Sequence, residues 1–320
     1  MKTAFLLVAF GFILGAAPEA SSQQEREGNI TAHESRVPVG GAELYARDIG
    51  KGTPVIVLHG GPDFDHSYLL PELDRFSDSL HLIYYDQRGR GRSAAGVKPE
   101  DVTLESDIAD IDKVRQFYRL DSMILLGHSW GTVLALEYAL RYPQRVSRLI
   151  VMNPAPACTA DYKELRKEWL EKKPEETERR KAIAGSAAFK DGDPKAVTAY
   201  YRIHFKAAFA QPQEYEKFIA RLSASFTREG VLKARAVEDR LMNDTWAKPD
   251  YNLLPRLKHL KMPALVIYGD HEFIPSGTAE HIAHALPNAK MVTLKSCGHF
   301  PYMECPVDLR KEIDAFLRSK

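Results

Sequence analysis

Ser129 lies in Gly127-His128-Ser129-Trp130-Gly131, a G-x-S-x-G pattern between the apolar run Met123 to Leu126 and a nearly all-apolar stretch from Trp130 to Tyr142. A serine hydroxyl is a weak nucleophile until a base takes its proton, and a strand, sharp turn and helix in succession suit that chemistry. The turn strains the serine backbone and lifts Oγ above the sheet, while side chains at positions 127 and 131 would clash. The helix start offers free N–H groups and partial positive charge to a developing oxyanion. One oxyanion donor is therefore expected from the backbone of Trp130. The other is expected from Gly61 in His59-Gly60-Gly61-Pro62, a loop whose glycines let the backbone come close. His59 itself reads as structural, packed under that loop.

A neutral imidazole suits the role of base near pH 7. Six histidines follow Ser129: His204, His259, His271, His281, His284 and His299. His299 stands in a glycine-containing loop, Ser296 to Pro301, just after the apolar run Met291 to Leu294, and is the expected base. His281 and His284 fall on a helical stretch, and His204 falls among the helices of the middle segment. His271 is the rival. For the acid, Asp270 closes the apolar run Ala264 to Tyr268 and is the first choice, with Glu272 second; a carboxylate there can hold the imidazole in one tautomer.

Asp86-Gln87-Arg88-Gly89-Arg90-Gly91-Arg92-Ser93 reads as a loop braced by Asp86 pairing with an arginine. The sequence has no Walker pattern, no G-x-G-x-x-G after a strand and no H-E-x-x-H, so neither cofactor nor metal nor nucleotide is expected.

These residues need a scaffold. Short apolar runs at Val55 to Leu58, Leu82 to Tyr85, Met123 to Leu126, Leu149 to Met152, Ala264 to Tyr268 and Met291 to Leu294 have the composition of strands buried on both faces. Between them lie helical patterns, such as Leu104, Ile108, Ile111, Val114 and Tyr118 with Thr103 as N-cap. The alternation predicts an α/β chain with a mostly parallel central sheet flanked by helices, preceded by an antiparallel hairpin from Ile30 to Ile49. From about Pro154 to Asp250 no strand run occurs, and Tyr162 to Lys172, Ala196 to Ala208 and Pro212 to Phe226 are helix-prone. This segment reads as an inserted helical cap over the carboxyl edge of the sheet, where open α/β sheets bind ligands. The expected organisation is a core of residues 30–153 and 251–320 with a cap of residues 154–250.

A net charge of +1 with no run of like charge argues against a nucleic-acid partner. Lys2, the apolar stretch Ala4 to Gly15 and the small residues after it read as a signal peptide over residues 1–22. The mature chain is then expected to be secreted or periplasmic, without a stable membrane anchor. Of the three cysteines, Cys297 and Cys305 are expected to remain unpaired thiols, since a separation of eight says nothing about Cα distance.

With these motifs in place, the chain resembles the α/β-hydrolase superfamily over residues 30 to 320, most closely the proline iminopeptidase group of serine peptidases. That group carries H-G-G-P, D-Q-R-G-x-G-x-S and G-x-S-W-G in this order, matched here by His59 to Pro62, Asp86 to Ser93 and Gly127 to Gly131. The resemblance implies Ser129 as nucleophile, His299 as base, Asp270 as acid, and Gly61 and Trp130 as oxyanion donors. It also implies hydrolysis of an amide or ester through an acyl-enzyme on a small-molecule or short-peptide substrate. Asp63 and His128 stand where the group usually has glycine. None of Glu168, Glu214, Glu216 and Glu238 matches by motif the cap glutamates with which that group binds a substrate amine. A carboxylesterase or lactonase, and a non-catalytic binder of a small ligand, are the competing readings.

Overall fold

The computed structural model describes residues 31–319. The expected signal peptide lies outside the described residues. Eight strands form one sheet: β1 (His33–Pro38), β2 (Glu43–Ile49), β3 (Thr53–Leu58), β4 (Leu80–Tyr85), β5 (Met123–Ser129), β6 (Val146–Pro154), β7 (Ala264–Gly269) and β8 (Ala289–Leu294), in the spatial order β1-β2-β4-β3-β5-β6-β7-β8. β1 and β2 pair antiparallel as the expected hairpin, and β2 pairs antiparallel with β4; every later pairing is parallel. All six apolar runs fall on strands. Val55 to Leu58 and Met123 to Leu126 are buried on both faces, which is why they read as continuous rather than alternating.

Helix α1 (Leu104–Phe117) buries Leu104, Ile108, Ile111 and Val114. It opens on a reciprocal cap in which the Ser106 N–H donates to the Thr103 hydroxyl at 3.0 Å and the Thr103 N–H donates to Ser106 Oγ at 2.9 Å. Helix α2 (Trp130–Arg141) is buried along nearly its whole length against β3, β5 and β6. The cap comprises α3 (Thr159–Lys172), α4 (Pro174–Gly185), α5 (Ala187–Lys190), α6 (Pro194–Phe205), α7 (Pro212–Ala224) and α8 (Arg228–Asp244). Its two ends are tied where the Thr159 N–H donates to the Tyr251 carbonyl at 2.9 Å and the Leu253 N–H to that of Ala157 at 3.0 Å. The chain then runs through α9 (Leu254–Leu257), β7, α10 (Ser276–Ala285), β8, α11 (Pro301–Glu304) and α12 (Pro306–Arg318). Among the described residues no helix is long and apolar enough to cross a membrane.

This topology decides where chemistry can sit. After β3 the chain crosses to β4 on one side and returns to β5 on the other, so the loops after β3 and β5 flank a crevice at the carboxyl edge. Leu58 and Gly127 are register partners, which brings the His59 to Pro62 loop beside the Ser129 turn. Gly269 and Leu294 are likewise partners, so the loop carrying Asp270 and Glu272 meets the one carrying His299.

Candidate active site

Ser129 occupies φ 53°, ψ −121°, a left-handed conformation that L side chains rarely adopt. Two groups hold its carbonyl there: the Thr132 hydroxyl donates to it at 2.7 Å and the Ala155 N–H at 3.3 Å. The flanking glycines are sterically required. A Cβ at Gly131 would lie 2.0 Å from the Leu58 carbonyl oxygen, and one at Gly127 would lie 2.5 Å from that of Gly131. Trp130 begins α2, so its N–H is among the first-turn donors that an α-helix leaves without an internal partner. Across the crevice Gly61 adopts φ 123°, and a Cβ at neighbouring Gly60 would approach the Ser129 Cβ to 3.0 Å. The Gly60 N–H is committed to the Tyr68 hydroxyl at 2.6 Å.

His59 is structural, as expected. Its Nδ1–H donates to the Gly60 carbonyl at 2.8 Å and its Nε2 accepts from the Gln87 N–H at 3.1 Å; burial pushes its pKa down to about 3. The Asp86 loop is also a brace, with different partners. Asp86 pairs with His66 Nδ1 at 2.5 Å, accepts from the Arg92 backbone N–H at 2.8 Å and lies 3.6 Å from the Arg92 guanidinium, while Arg88 and Arg90 form their short pairs with Asp110 and Asp107.

His299 is held by Glu272, and here the sequence expectation is corrected. Both Glu272 oxygens accept from His299 Nδ1, at 2.9 and 2.8 Å, with both side chains buried. A carboxylate can only accept, so the contact puts a proton on His299 Nδ1. Asp270 does not touch His299. Its Oδ1 faces the His271 ring at 2.8 Å and accepts from the Cys297 N–H at 3.2 Å, and its Oδ2 lies 3.8 Å from Lys295. The reason is the turn after β7: the Glu272 N–H donates back to the Gly269 carbonyl at 3.1 Å, which swings residue 272 rather than 270 inward. His271 partners Asp270 at the surface and is no rival.

Asn153 and two backbone amides complete this arrangement, and no sequence motif marks them. The Asn153 amide, at the end of β6, donates to Glu272 at 2.6 Å and to the Gly298 carbonyl at 3.0 Å, tying the acid loop to the base loop. The N–H groups of Phe273 and Ile274 donate to the other Glu272 oxygen at 2.8 and 3.2 Å.

The base loop carries a second correction. Cys297 and Cys305 form a disulfide, with Cα atoms 6.0 Å apart, because the short helix α11 folds the chain back on itself. The bridge encloses His299. Closing a loop of this size removes about 2–3 kcal/mol of unfolded-chain freedom. Reductant is therefore expected to lower the stability of the folded protein by about that amount, read as a fall in denaturant midpoint at unchanged slope. An unchanged midpoint in protein shown by thiol titration to be reduced would contradict this.

Ser129, His299 and Gly61 share the floor of one cavity of about 370 Å³, roofed by cap residues including Trp169, Tyr201 and Glu238. A family model described as the alpha/beta hydrolase fold matches residues 53–306. The chain belongs to the α/β-hydrolase family. Among curated relatives, it is 26% identical to a proline iminopeptidase of Saccharolobus solfataricus over 288 residues, covering 86% of this chain and 89% of the relative. A proline iminopeptidase of Heyndrickxia coagulans is 28% identical over 285 residues, covering 84% and 92%. Among solved structures, a proline iminopeptidase-related protein of Thermus thermophilus superposes with a TM-score of 0.69 at 25% identity, covering 90% of this chain and 98% of its own.

The cavity of this hydrolase is also lined by two half-buried carboxyls. Asp63, from the loop after β3, accepts from the Tyr201 hydroxyl of α6, and Glu238 projects from α8. Burial pushes both carboxyls above their ordinary range, and the charge of Asp63 adds to the rise at Glu238; Arg180 and Arg235 only partly offset it. A cation placed beside these two carboxyls would favour their ionised forms. Position 63 was visible in the sequence as a departure from glycine, and Glu238 as one cap glutamate among several. No pattern marked either as pointing inward.

Proposed function

We propose that this hydrolase cleaves an amide or ester through an acyl-enzyme on Ser129, and that its substrates carry a free amino group, as in the release of an N-terminal residue from a short peptide. In this reading His299 Nε2 takes the Ser129 proton, and Glu272 fixes the tautomer and stabilises the imidazolium. The attacked carbonyl oxygen becomes an oxyanion received by the N–H groups of Gly61 and Trp130. His299 then gives its proton to the departing amine, and a water repeats the sequence to free the acid. The supporting observation is the Asp63–Glu238 pair in the wall of the cavity that holds Ser129. An ammonium bound there favours the ionised carboxyls and offsets the cost of their burial. The names of the relatives point the same way.

The test compares L-proline p-nitroanilide with p-nitrophenyl acetate. A hydrogen bond to a charged group contributes about 1.5–3 kcal/mol. Glu238→Gln is therefore expected to raise KM for the amine substrate about tenfold to a hundredfold while leaving acetate hydrolysis within about twofold. Asp63→Asn should act in the same direction. Cleavage of the ester alone by the parent enzyme would eliminate the aminopeptidase reading, and absence of labelling by a fluorophosphonate would eliminate the serine mechanism. We also propose export. The leader-like sequence of residues 1–22 and the disulfide across the base loop support it, since such bridges persist in oxidising compartments.

A further inference from the structure

A buried chain of hydrogen bonds joins the two halves of the site. The Gly60 N–H donates to the Tyr68 hydroxyl at 2.6 Å, Tyr68 Oη lies 2.8 Å from His128 Nδ1, and His128 Nε2 lies 2.8 Å from the carbonyl oxygen of His299. The polarity of the chain is fixed from its ends. A backbone N–H can only donate, so Tyr68 accepts there. A carbonyl can only accept, so His128 Nε2 carries the proton and Nδ1 receives the tyrosine hydroxyl's. Burial keeps both members in the forms this requires, pushing the Tyr68 hydroxyl up and the His128 imidazole far down, so the one stays protonated and the other neutral.

We propose that Tyr68 and His128 are positioning residues for catalysis, a wire that sets the oxyanion loop and the base loop in register with the elbow between them. The inference rests on the serine-hydrolase part of the reading above and not on the nature of the substrate. His128 occupies the elbow position directly before Ser129, so its ring reaches from the nucleophile's own turn to the backbone of the base. At the other end, the Tyr68 bond fixes the His59–Gly60 peptide, one peptide before the Gly61 amide, and so sets the start of the oxyanion loop. The base loop has other anchors, among them the disulfide, Glu272 on His299, the His299 N–H on the Ala208 carbonyl at 2.7 Å and the Gly298 N–H on Glu304 at 2.8 Å, but none of these has its partner in the oxyanion loop.

Tyr68→Phe removes one oxygen and leaves the Gly60 N–H and His128 Nδ1 unpaired. Losing an oxyanion donor outright costs about 10²–10³ in turnover, so misaiming one is expected to lower kcat about 10- to 100-fold. KM should change less than about threefold, because the oxygen removed is engaged by the Gly60 N–H and His128 inside the wire. The second-order rate of fluorophosphonate labelling should fall in parallel. His128→Ala should match this loss, while His128→Gln, whose amide can still donate to the His299 carbonyl, should recover part of it. The double variant Tyr68→Phe/His128→Ala should be no worse than either single one, since both cut the same chain. Labelling of the parent enzyme tests the serine mechanism; the ratio of variant to parent tests the wire. A merely structural role would lower the melting temperature and the labelled fraction while leaving kcat per labelled site and the labelling rate at parental values. That outcome, or additive losses in the double variant, overturns the proposal.

Discussion

Glu272→Gln is expected to lower kcat about 10⁴-fold, while Asp270→Asn stays within about threefold of the parent. The loss does not come from charge alone. One Glu272 oxygen accepts from the Phe273 and Ile274 N–H groups, the other accepts from the Asn153 amide, and both face the Nδ1–H of His299. Glutamine carries two protons on one of those positions. In one orientation its NH2 opposes the Asn153 donor, and in the other it opposes two backbone donors. Relief comes most readily if the amide donates to Nδ1, which drives the imidazole proton to Nε2 and removes the lone pair that must take the Ser129 proton. Asp270 has no such role: asparagine can still accept from the Cys297 N–H at the rim of the site. Steady-state kinetics on any accepted substrate decides between the two carboxylates. A 10⁴-fold loss in Asp270→Asn with Glu272→Gln unimpaired would restore Asp270 as the acid.

The sequence pointed to Asp270 for a physical reason. Strands buried on both faces announce themselves as continuous β-branched runs, so the sheet, its parallel pairing and the place of Ser129 and His299 were all legible. The loop after β7 was not, because the turn that brings Glu272 inward rests on a backbone bond from residue 272 to residue 269 that leaves no mark on hydrophobic pattern. Two carboxylates two residues apart are equivalent until that bond is known. Asn153 carried a weak signal as a polar residue closing an apolar strand run beside β7. The disulfide was hidden for the opposite reason, since a separation of eight is compatible with almost any distance and only the α11 turn brings the two Cα atoms to 6.0 Å. In the cap, α4 buries none of its residues and so has no stripe to read. α8 buries Val231, Val237 and Leu241, and Glu238 sits between the last two, where a core position and a cavity position look alike in sequence.

The elbow yields the second large effect, in which activity and stability move in opposite directions. Ser129→Gly is expected to abolish turnover, a loss of about 10⁶-fold, as for removal of a triad nucleophile. It is also expected to make the protein more stable. At φ 53°, ψ −121° a side chain strains the backbone by about 1–3 kcal/mol, whereas glycine adopts the region freely. Glycine gives back about 0.5–1 kcal/mol through the greater freedom of the unfolded chain, so the expected net gain is about 1 kcal/mol. The strain persists in the parent because the surroundings over-determine the turn. The Ser129 carbonyl is held by Thr132 and Ala155, and the helix behind it approaches Leu58 too closely at Gly131 for any other backbone path. Ser129→Ala is the informative comparison: it loses the same activity but keeps a Cβ in the same conformation, and should show no gain. Denaturant midpoints at equal slope separate the two variants. Equal stability in Ser129→Gly and Ser129→Ala would mean that the turn stores no strain in the serine. The conformation would then be a consequence of Gly127 and Gly131 alone and not a cost borne for placing the hydroxyl.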